Sequence, residues 1–384
     1  MMLNLTDIVA FYTVIQLLFL TTVSLNYKKG KRLSSRILAG FMASNALLIG
    51  QYLLTNFLIS YREKFTLLFS IGSASYLLLM PFLYLYILSL CYDNFRLKRI
   101  LLLHFVLFLA AALFTFAVNS ISNDIKITGL IAFSLEGIRN AELLSRRIII
   151  HLQILSYLIA SIIVLVSYRR RIKEMYSSVE KIDLWWCNLL LAGFTLMWSL
   201  DVLSWLLTNM KLISLSIQHW MFFFSLVINL SFTIAVTYRG LLQSESFSGI
   251  QEYPKYISSR LKAADCKAII QKLTAYMINE KPYLKPSLSV DDLTKSLNIP
   301  ARNLSQAIHT SLNKNFYDLI NAYRIEEVKK LMQDENSQNQ TLLALAYSSG
   351  FNSKSVFNAA FKKHTGMTPK EYKSKHFLLS GTIA

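Results

Sequence analysis

Two patterns of apolar residues divide the chain. Up to about residue 240 the apolar positions form long runs such as YLLLMPFLYLYILSLCY. Beyond it they recur every three or four residues between polar neighbours, which is the period of helices packed on a core. A bilayer core about 30 Å thick takes roughly 20 apolar residues in a helix. Seven stretches approach that length, at about residues 7–25, 35–58, 65–91, 100–118, 148–167, 184–208 and 217–238. The expected fold class is all-α, with a polytopic bundle of seven membrane spans over residues 1–240 and an all-helical domain after it. The first stretch has no basic leader and no small-residue cleavage site, so it reads as a retained helix.

Residues 241–284 read as a linker. The polar junction SESFSGIQEYPKY leads into a helix carrying Ile269, Leu273 and Met277, closed by Pro282 and Pro286. The pattern then predicts two short helices across a turn. Ser289 and Asp292 have capping-box spacing, Leu293 and Leu297 form a stripe, and Asn298, Ile299 and Pro300 make the turn. The helix that follows buries Leu304, Ile308 and Leu312. Its other face carries Arg302, Asn303, Ser305, Gln306 and His309, donors and acceptors of the kind that read base edges and phosphates. Helix, turn and helix at this spacing is a helix-turn-helix unit.

A longer helix follows, NFYDLINAYRIEEVKKLM, and after the DENSQNQ break the pattern returns. Thr341 caps a helix with Leu342, Leu345 and Ala346 inward, and Gly350 ends it. Asn352 or Ser353 caps the next, where Phe357, Ala360 and Phe361 face a core. Lys354, Ser355, Asn358 and Lys362 fall on the opposite face, and Gly366 and Pro369 stop the helix. A connecting helix of about 18 residues is about 27 Å long at 1.5 Å per residue, close to the roughly 34 Å between successive major-groove faces. Two such units could enter adjacent grooves.

Composition sharpens the division. Only 16% of the residues are charged, against about 25% in ordinary globular domains, and 54% are hydrophobic. The formal net charge of +18 comes from both parts. In the apolar part the basic residues gather in alternate loops. Lys28, Lys29, Lys31, Arg32 and Arg36 follow the first stretch, Arg96, Lys98 and Arg99 the third, and Arg169, Arg170, Arg171, Lys173 and Lys181 the fifth. The loops between are poorer, holding Arg62 and Lys64 or Lys211 alone. The long loop 119–147 balances Lys126, Arg139, Arg146 and Arg147 with Asp124, Glu136 and Glu142. Positive loops mark the cytoplasmic side. The N-terminus is expected outside and everything after Arg239 in the cytoplasm. Pieces of the long loop, IAFSLEGI and NAELLSRR, could form a short interfacial helix or a passive connector. Trp185, Trp186 and Trp220 lie where an aromatic belt is expected.

Inside the spans, Asp201 in TLMWSLDVLSWLL is a candidate ligand or ion site. The alternative is a protonated side chain bonded to a neighbouring helix. Asn45, Gln51, Asn188 and Asn229 read as interhelical glue. Cys91, Cys187 and Cys266 are scattered, and His104, His151 and His219 share no ligand spacing, so no disulfide framework, metal or cofactor is expected. No phosphate loop or nucleophile elbow occurs, and no enzyme is expected.

Residues 285–376 resemble the AraC/XylS family of bacterial transcription regulators. The matching positions are Gly350-Phe351, Phe357, Phe361-Lys362-Lys363, Gly366, Thr368-Pro369 and Tyr372. The helix with Asn321, Tyr323, Arg324 and Ile325 is similar to the family's linker helix. The resemblance covers about a quarter of the chain and implies a DNA-binding domain with two helix-turn-helix units. Better-known members carry a soluble sugar-binding β-barrel at the N-terminus. Here a seven-helix region stands in its place, similar to a membrane-embedded branch of these regulators.

The expected function is a membrane-anchored, sequence-specific transcription regulator in a bacterial inner membrane. Its partners would be promoter DNA, the bilayer, RNA polymerase, a second copy of the chain and an unknown signal. Lys314, Lys354, Lys362 and Lys363 would contact phosphates. Two alternatives stand beside it. One is a transporter or membrane enzyme with a regulatory appendage, which broken Gly/Pro helices at matched positions would favour. The other is a passive anchor for the DNA-binding domain. Residues 377–384 form a short tail.

Overall fold

The chain is known from a computed structural model that describes residues 4–27, 31–58, 64–124, 129–180, 182–246, 261–334, 337 and 340–380. Of 121–124, 129–146, 215, 241–246 and 376–380 it describes the backbone alone. Lys28, Lys29, Arg62, Lys126 and Lys181 lie outside the described residues, as do the side chains of Asp124, Glu136, Arg139, Glu142 and Arg146. The described residues are helical, without strands. They fall into two units. One comprises Met1–Val166 with Leu184–Glu252, the other Ser167–Asp183 with Tyr253–Ala384.

The first unit is built from α1 (Leu5–Asn26), α2 (Arg32–Leu58), α3 (Thr66–Ala74), α4 (Tyr76–Cys91), α5 (Val106–Asp124), α6 (Gly129–Met175), α7 (Trp185–Asn209) and α8 (Leu215–Ser246), with α6 running on into the second unit. Six helical stretches are long and apolar enough to cross a membrane, and α3 with α4 makes a seventh if the bent pair is one span. Their outward faces are apolar, with Ile15, Phe19, Leu102 and Leu189 all exposed. α2 is the most enclosed, lying against α1, α4 and α8. Asn45 on α2 donates to Asn229 on α8 at 3.1 Å, the interhelical role expected of it.

The third expected span is not continuous. It bends by 47° at Ser75, whose N–H and hydroxyl both turn back to the Gly72 carbonyl, at 3.2 and 2.6 Å. Further along, Pro81 lies inside α4 and has no N–H for the Leu77 carbonyl one turn earlier. Gln153 on α6 supplies the missing donor, its Nε2 lying 3.2 Å from that oxygen. The fourth expected span opens as a 3₁₀ turn over Arg99–Phe105. The long connection is helical from Gly129, continuous with α6, where a short interfacial helix or a passive connector was expected.

Charges and aromatic rings also depart from the simple pattern. Asp7 was not singled out, yet it is buried. It accepts from Tyr52 Oη at 2.9 Å and Asn56 Nδ2 at 3.2 Å, and it completes a capping box with Asn4. Lys31 reaches the C-terminal end of α4, donating to the carbonyls of Ser89 and Tyr92 at 3.2 and 2.8 Å. Trp185 and Trp220 are exposed near helix starts, but Trp186 turns inward, buried against Tyr86 with ring centroids 6.4 Å apart. Around Asp201, Trp198 Nε1 donates to His151 Nδ1 at 3.0 Å and the Arg147 guanidinium stands 5.5 Å from the Trp205 ring centre. The three cysteines are buried and form no disulfide among the described residues.

Candidate nucleic-acid interface

The second unit contains α9 (Ala263–Glu280), α10 (Val290–Leu297), α11 (Ala301–Leu312), α12 (Phe316–Gln333), α13 (Leu342–Ser348), α14 (Lys354–Thr365) and α15 (Pro369–Ser380). Its apolar residues collect into two cores. The first joins Leu273 and Met277 of α9, Leu293 and Leu297 of α10, Leu304 and Ile308 of α11, and Phe316, Leu319 and Ile320 at the start of α12. The second joins Ile325, Val328 and Met332 further along α12 with Leu345 and Ala346 of α13 and Phe357, Ala360 and Phe361 of α14. One helix thus supplies a wall to each core.

Local chemistry sets each helix. Ser289 and Asp292 form the expected capping box, with Ser289 N–H donating to Asp292 Oδ2 at 2.9 Å and Asp292 N–H to Ser289 Oγ at 3.2 Å. Asn298 ends α10 in the left-handed region at φ 51°, and Pro300 starts α11. Thr341 caps α13 as expected, accepting from Ala344 N–H at 3.1 Å. Ser353 stands at the N-cap of α14, but its hydroxyl is engaged with the Ser355 hydroxyl at 2.8 Å and makes no cap bond. At the far end of α14 Gly366 takes the left-handed cap.

The candidate reading residues fall on two helices. On α11, Arg302 and His309 are exposed, while Asn303, Ser305 and Gln306 are half-buried. Residues one and four positions beyond Arg302 turn towards the flanks of a helix that packs closely on α9, so the outer face is narrower than the spacing suggested. On α14, Lys354, Ser355, Asn358 and Lys362 are all exposed, opposite buried Phe357 and Phe361. Phe351, Phe357, Phe361 and Tyr372 stack edge to face in sequence, with centroids 5.3 to 5.7 Å apart. Of the lysines expected on phosphates, Lys363 is bonded to Asp318 Oδ1 at 2.7 Å. His364 is held below its usual value by burial and by the neighbouring charges of Lys314 and Lys363, which marks a positive surface there.

The junction of the cores is held by residues the periodicity did not single out. Arg324 lies on α12 between the two cores and is 1% exposed. Its Nε donates to the Tyr283 carbonyl at 2.8 Å, and Nη2 to the Lys285 and Pro286 carbonyls at 2.8 and 3.3 Å. Nη1 and Nη2 also reach Ser177 O and Oγ, at 3.2 and 3.1 Å. Burial lowers the guanidinium pKa to about 10, so it stays charged at neutral pH. Glu327, one turn on, accepts from Lys281 Nζ at 2.9 Å and Tyr283 Oη at 3.1 Å. The signs of this joint in the sequence were a charged residue between Ile320, Ile325 and Val328 and the resemblance of this stretch to a linker helix, neither of which shows its partners.

Comparison with known proteins agrees with this architecture. Residues 293–375 match the family described as a helix-turn-helix domain. The chain is 28% identical over 129 residues to a Pseudoalteromonas carrageenovora protein described as an uncharacterized HTH-type transcriptional regulator in the cgkA 5′ region. That stretch is 33% of this chain and 73% of that protein. A solved structure of a Listeria innocua protein of unknown function is 29% identical, spanning 28% of this chain and 95% of that one. Its TM-score of 0.24 is too low to carry a comparison of folds. With its two cores, paired short helices and exposed α14 face, the C-terminal part of the chain is a DNA-binding helix-turn-helix domain of the AraC/XylS type, found in transcription regulators.

Proposed function

We propose that the chain is a membrane-anchored regulator that binds promoter DNA sequence-specifically, with α11 and α14 as its reading helices. The observation that carries this is the polar and basic face of α14, Lys354, Ser355, Asn358 and Lys362, standing opposite a buried aromatic row. Asn358 and Ser355 would read base edges, with Arg302, Asn303, Ser305, Gln306 and His309 doing so from α11. Lys362, Lys354 and Lys314 would meet phosphates. RNA polymerase and a second copy of the chain are the partners such a regulator would take.

The bilayer reading rests on the apolar stretches and their exposed apolar faces. Lys31, ahead of α2, bonds the end of α4, so the loops after the first and third spans meet on one side. With the excess of basic residues in those loops, this is the basis for reading an N-terminus outside and the DNA-binding domain in the cytoplasm. Asp201, with Arg147, His151, Trp198 and Trp205 around it, is the place in the spans where a polar signal molecule would dock. The bend at Ser75 is of the kind used by transporters, but among the described residues it has no matched second break.

The test is the full chain in lipid nanodiscs, used to select duplexes from a random pool. A shared sequence motif is expected, with affinity falling about 0.9 log units per log unit of salt for each phosphate neutralised. No salt-sensitive binding would reject the reading. Reporter fusions after Arg32 and Lys173 test the orientation, and external activity at either position would overturn it.

A further inference from the structure

Ser167–Asp183, the C-terminal end of α6 with the connection to α7, groups with the DNA-binding domain in the second unit, which nothing in the sequence pattern predicts. It is closed on itself. Tyr168 Oη donates to the Ile182 carbonyl at 2.6 Å, and Arg169 Nε donates to Asp183 Oδ1 at 2.8 Å. These bonds tie the entry of the segment to its exit, as in the compact surface loops whose ends lie together.

The tip of this hoop is bonded to three parts of the domain. Ser177 N–H donates to the Leu288 carbonyl at 3.0 Å, and Tyr176 pairs with Ser289, both at the start of the first helix-turn-helix unit. Ser177 O and Oγ take two of the bonds from Arg324 on the helix shared by both cores. Ser178 Oγ accepts from Asn352 Nδ2 at 2.7 Å, in the turn that leads into α14 of the second unit. In the last turn of α6, the Lys173 ammonium stands 5.9 Å from the ring centre of Tyr317 on α12. Ser177 itself is buried. A loop that merely joined two helices would not place a buried serine against the first unit and the shared helix, and its neighbour Ser178 against the second unit.

We propose that the hoop is a clip that fixes the mutual setting of the two helix-turn-helix units, so that the helices it joins, α6 and α7, set the spacing between DNA sites that the chain prefers. This rests on the DNA-binding reading above. The hoop begins in the last turns of α6 and leads directly into α7. A shift of either helix is delivered to Ser177 and Ser178, and through Arg324 and Asn352 to the pivot between α11 and α14. Two packed arrangements of such a pivot would act as the two states of a switch.

The experiment uses the full chain in nanodiscs and the duplex selected by it, with the spacer between the two contacted sites lengthened or shortened by one, two and five base pairs. The variant is Ser177→Ala with Ser178→Ala, which removes one Arg324 acceptor and the Asn352 acceptor and leaves the proposed DNA face untouched. Loss of these two acceptors should weaken binding at the preferred spacing by about fivefold to thirtyfold. Off-spacing duplexes and single sites should change by less than about twofold, so the spacing preference flattens. An unchanged spacing profile overturns the proposal, and so does an equal loss on single sites, which is the signature of a merely loosened fold. If the wild-type chain binds no duplex, the DNA reading fails by itself, and amide exchange then decides the clip. The Ser177 N–H should exchange in step with the α12 amides and lose that protection in the variant, whereas fast exchange in the wild type overturns it.

Discussion

A β-carbon at Gly350 would lie 2.4 Å from the carbonyl oxygen of Tyr283. The glycine is also at φ 90°, outside the range that other residues adopt without strain. Tyr283 belongs to the first core and Gly350 precedes α14 of the second, so this close approach is part of the seam between the two units. Gly350→Ala should cost about 3 kcal/mol, combining an unfavourable φ with a backbone clash. In the full chain, hydrogen exchange should speed up across α13, α14 and residues 282–284 together and leave α5 unchanged. Acceleration confined to residue 350 and its neighbours would contradict the seam.

Asn358 and Lys362 stand one turn apart on the same exposed face of α14 and should fail differently. Asn358→Ala should cost about 1–3 kcal/mol on the selected duplex and little on random DNA. Lys362→Ala should weaken all duplexes alike and reduce the salt slope by about one. Phe361→Ala should destabilise the second core by about 3–5 kcal/mol. Equal losses on selected and random DNA for Asn358→Ala, with α14 still protected from exchange, would move the specificity to Arg302 and Gln306.

Lys363 follows Lys362 in sequence but is bonded to Asp318. The lysine is largely exposed and Asp318 half-buried, so the pair's contribution to stability is about 1 kcal/mol or less. Lys363→Ala should therefore change the salt slope less than Lys362→Ala does, and Asp318→Asn should raise non-specific affinity by releasing a cation. A titration of binding against salt for the three variants checks the order, and equal slopes for the two lysine variants would reject it.

Glu327 links the seam to pH. Burial acts to raise its carboxyl, but bonds from Lys281 and Tyr283 outweigh that and hold it below the ordinary glutamate range. A depressed carboxylate contributes stability above its unfolded value, lost as pH falls through the folded one. Protection of the α12 amides should thus decline as pH drops below about 4.5 in the wild-type chain. Glu327→Gln should be less protected at pH 7 and show a shallower decline. A variant whose acid profile overlays the wild type would rule out this linkage. Tyr283 stays a donor throughout, its hydroxyl pushed up to about 12 by burial and by Glu327.

Local signals were legible in the sequence wherever they lay within a few residues of one another. The Ser289–Asp292 box, the Thr341 cap, the Asn298 and Gly366 stops and the Phe357/Phe361 face all depend on neighbours at most one turn away. Three joints were not legible, because their partners are distant and follow no period. Arg324 draws its acceptors from residues 283–286 and from Ser177, which lies in a different run of the chain. Asp7 is satisfied by Tyr52 and Asn56 on the next helix. The bend at Ser75 falls in a stretch where uniform hydropathy hides every internal boundary. The candidate residues of α14 are all exposed, while on α11 Asn303, Ser305 and Gln306 are half-buried, since packing against α9 covers the flanks.

The bond from Gln153 to the Leu77 carbonyl has a consequence for how this chain can drift. Replacing Pro81 alone would return an N–H to Leu77 and leave the Gln153 amide group without its acceptor. Replacing Gln153 alone would leave a buried carbonyl with no donor, at a cost of about 1–3 kcal/mol. Each position holds the other in place, so a descendant that lost both would have had to pass through a less stable ancestor.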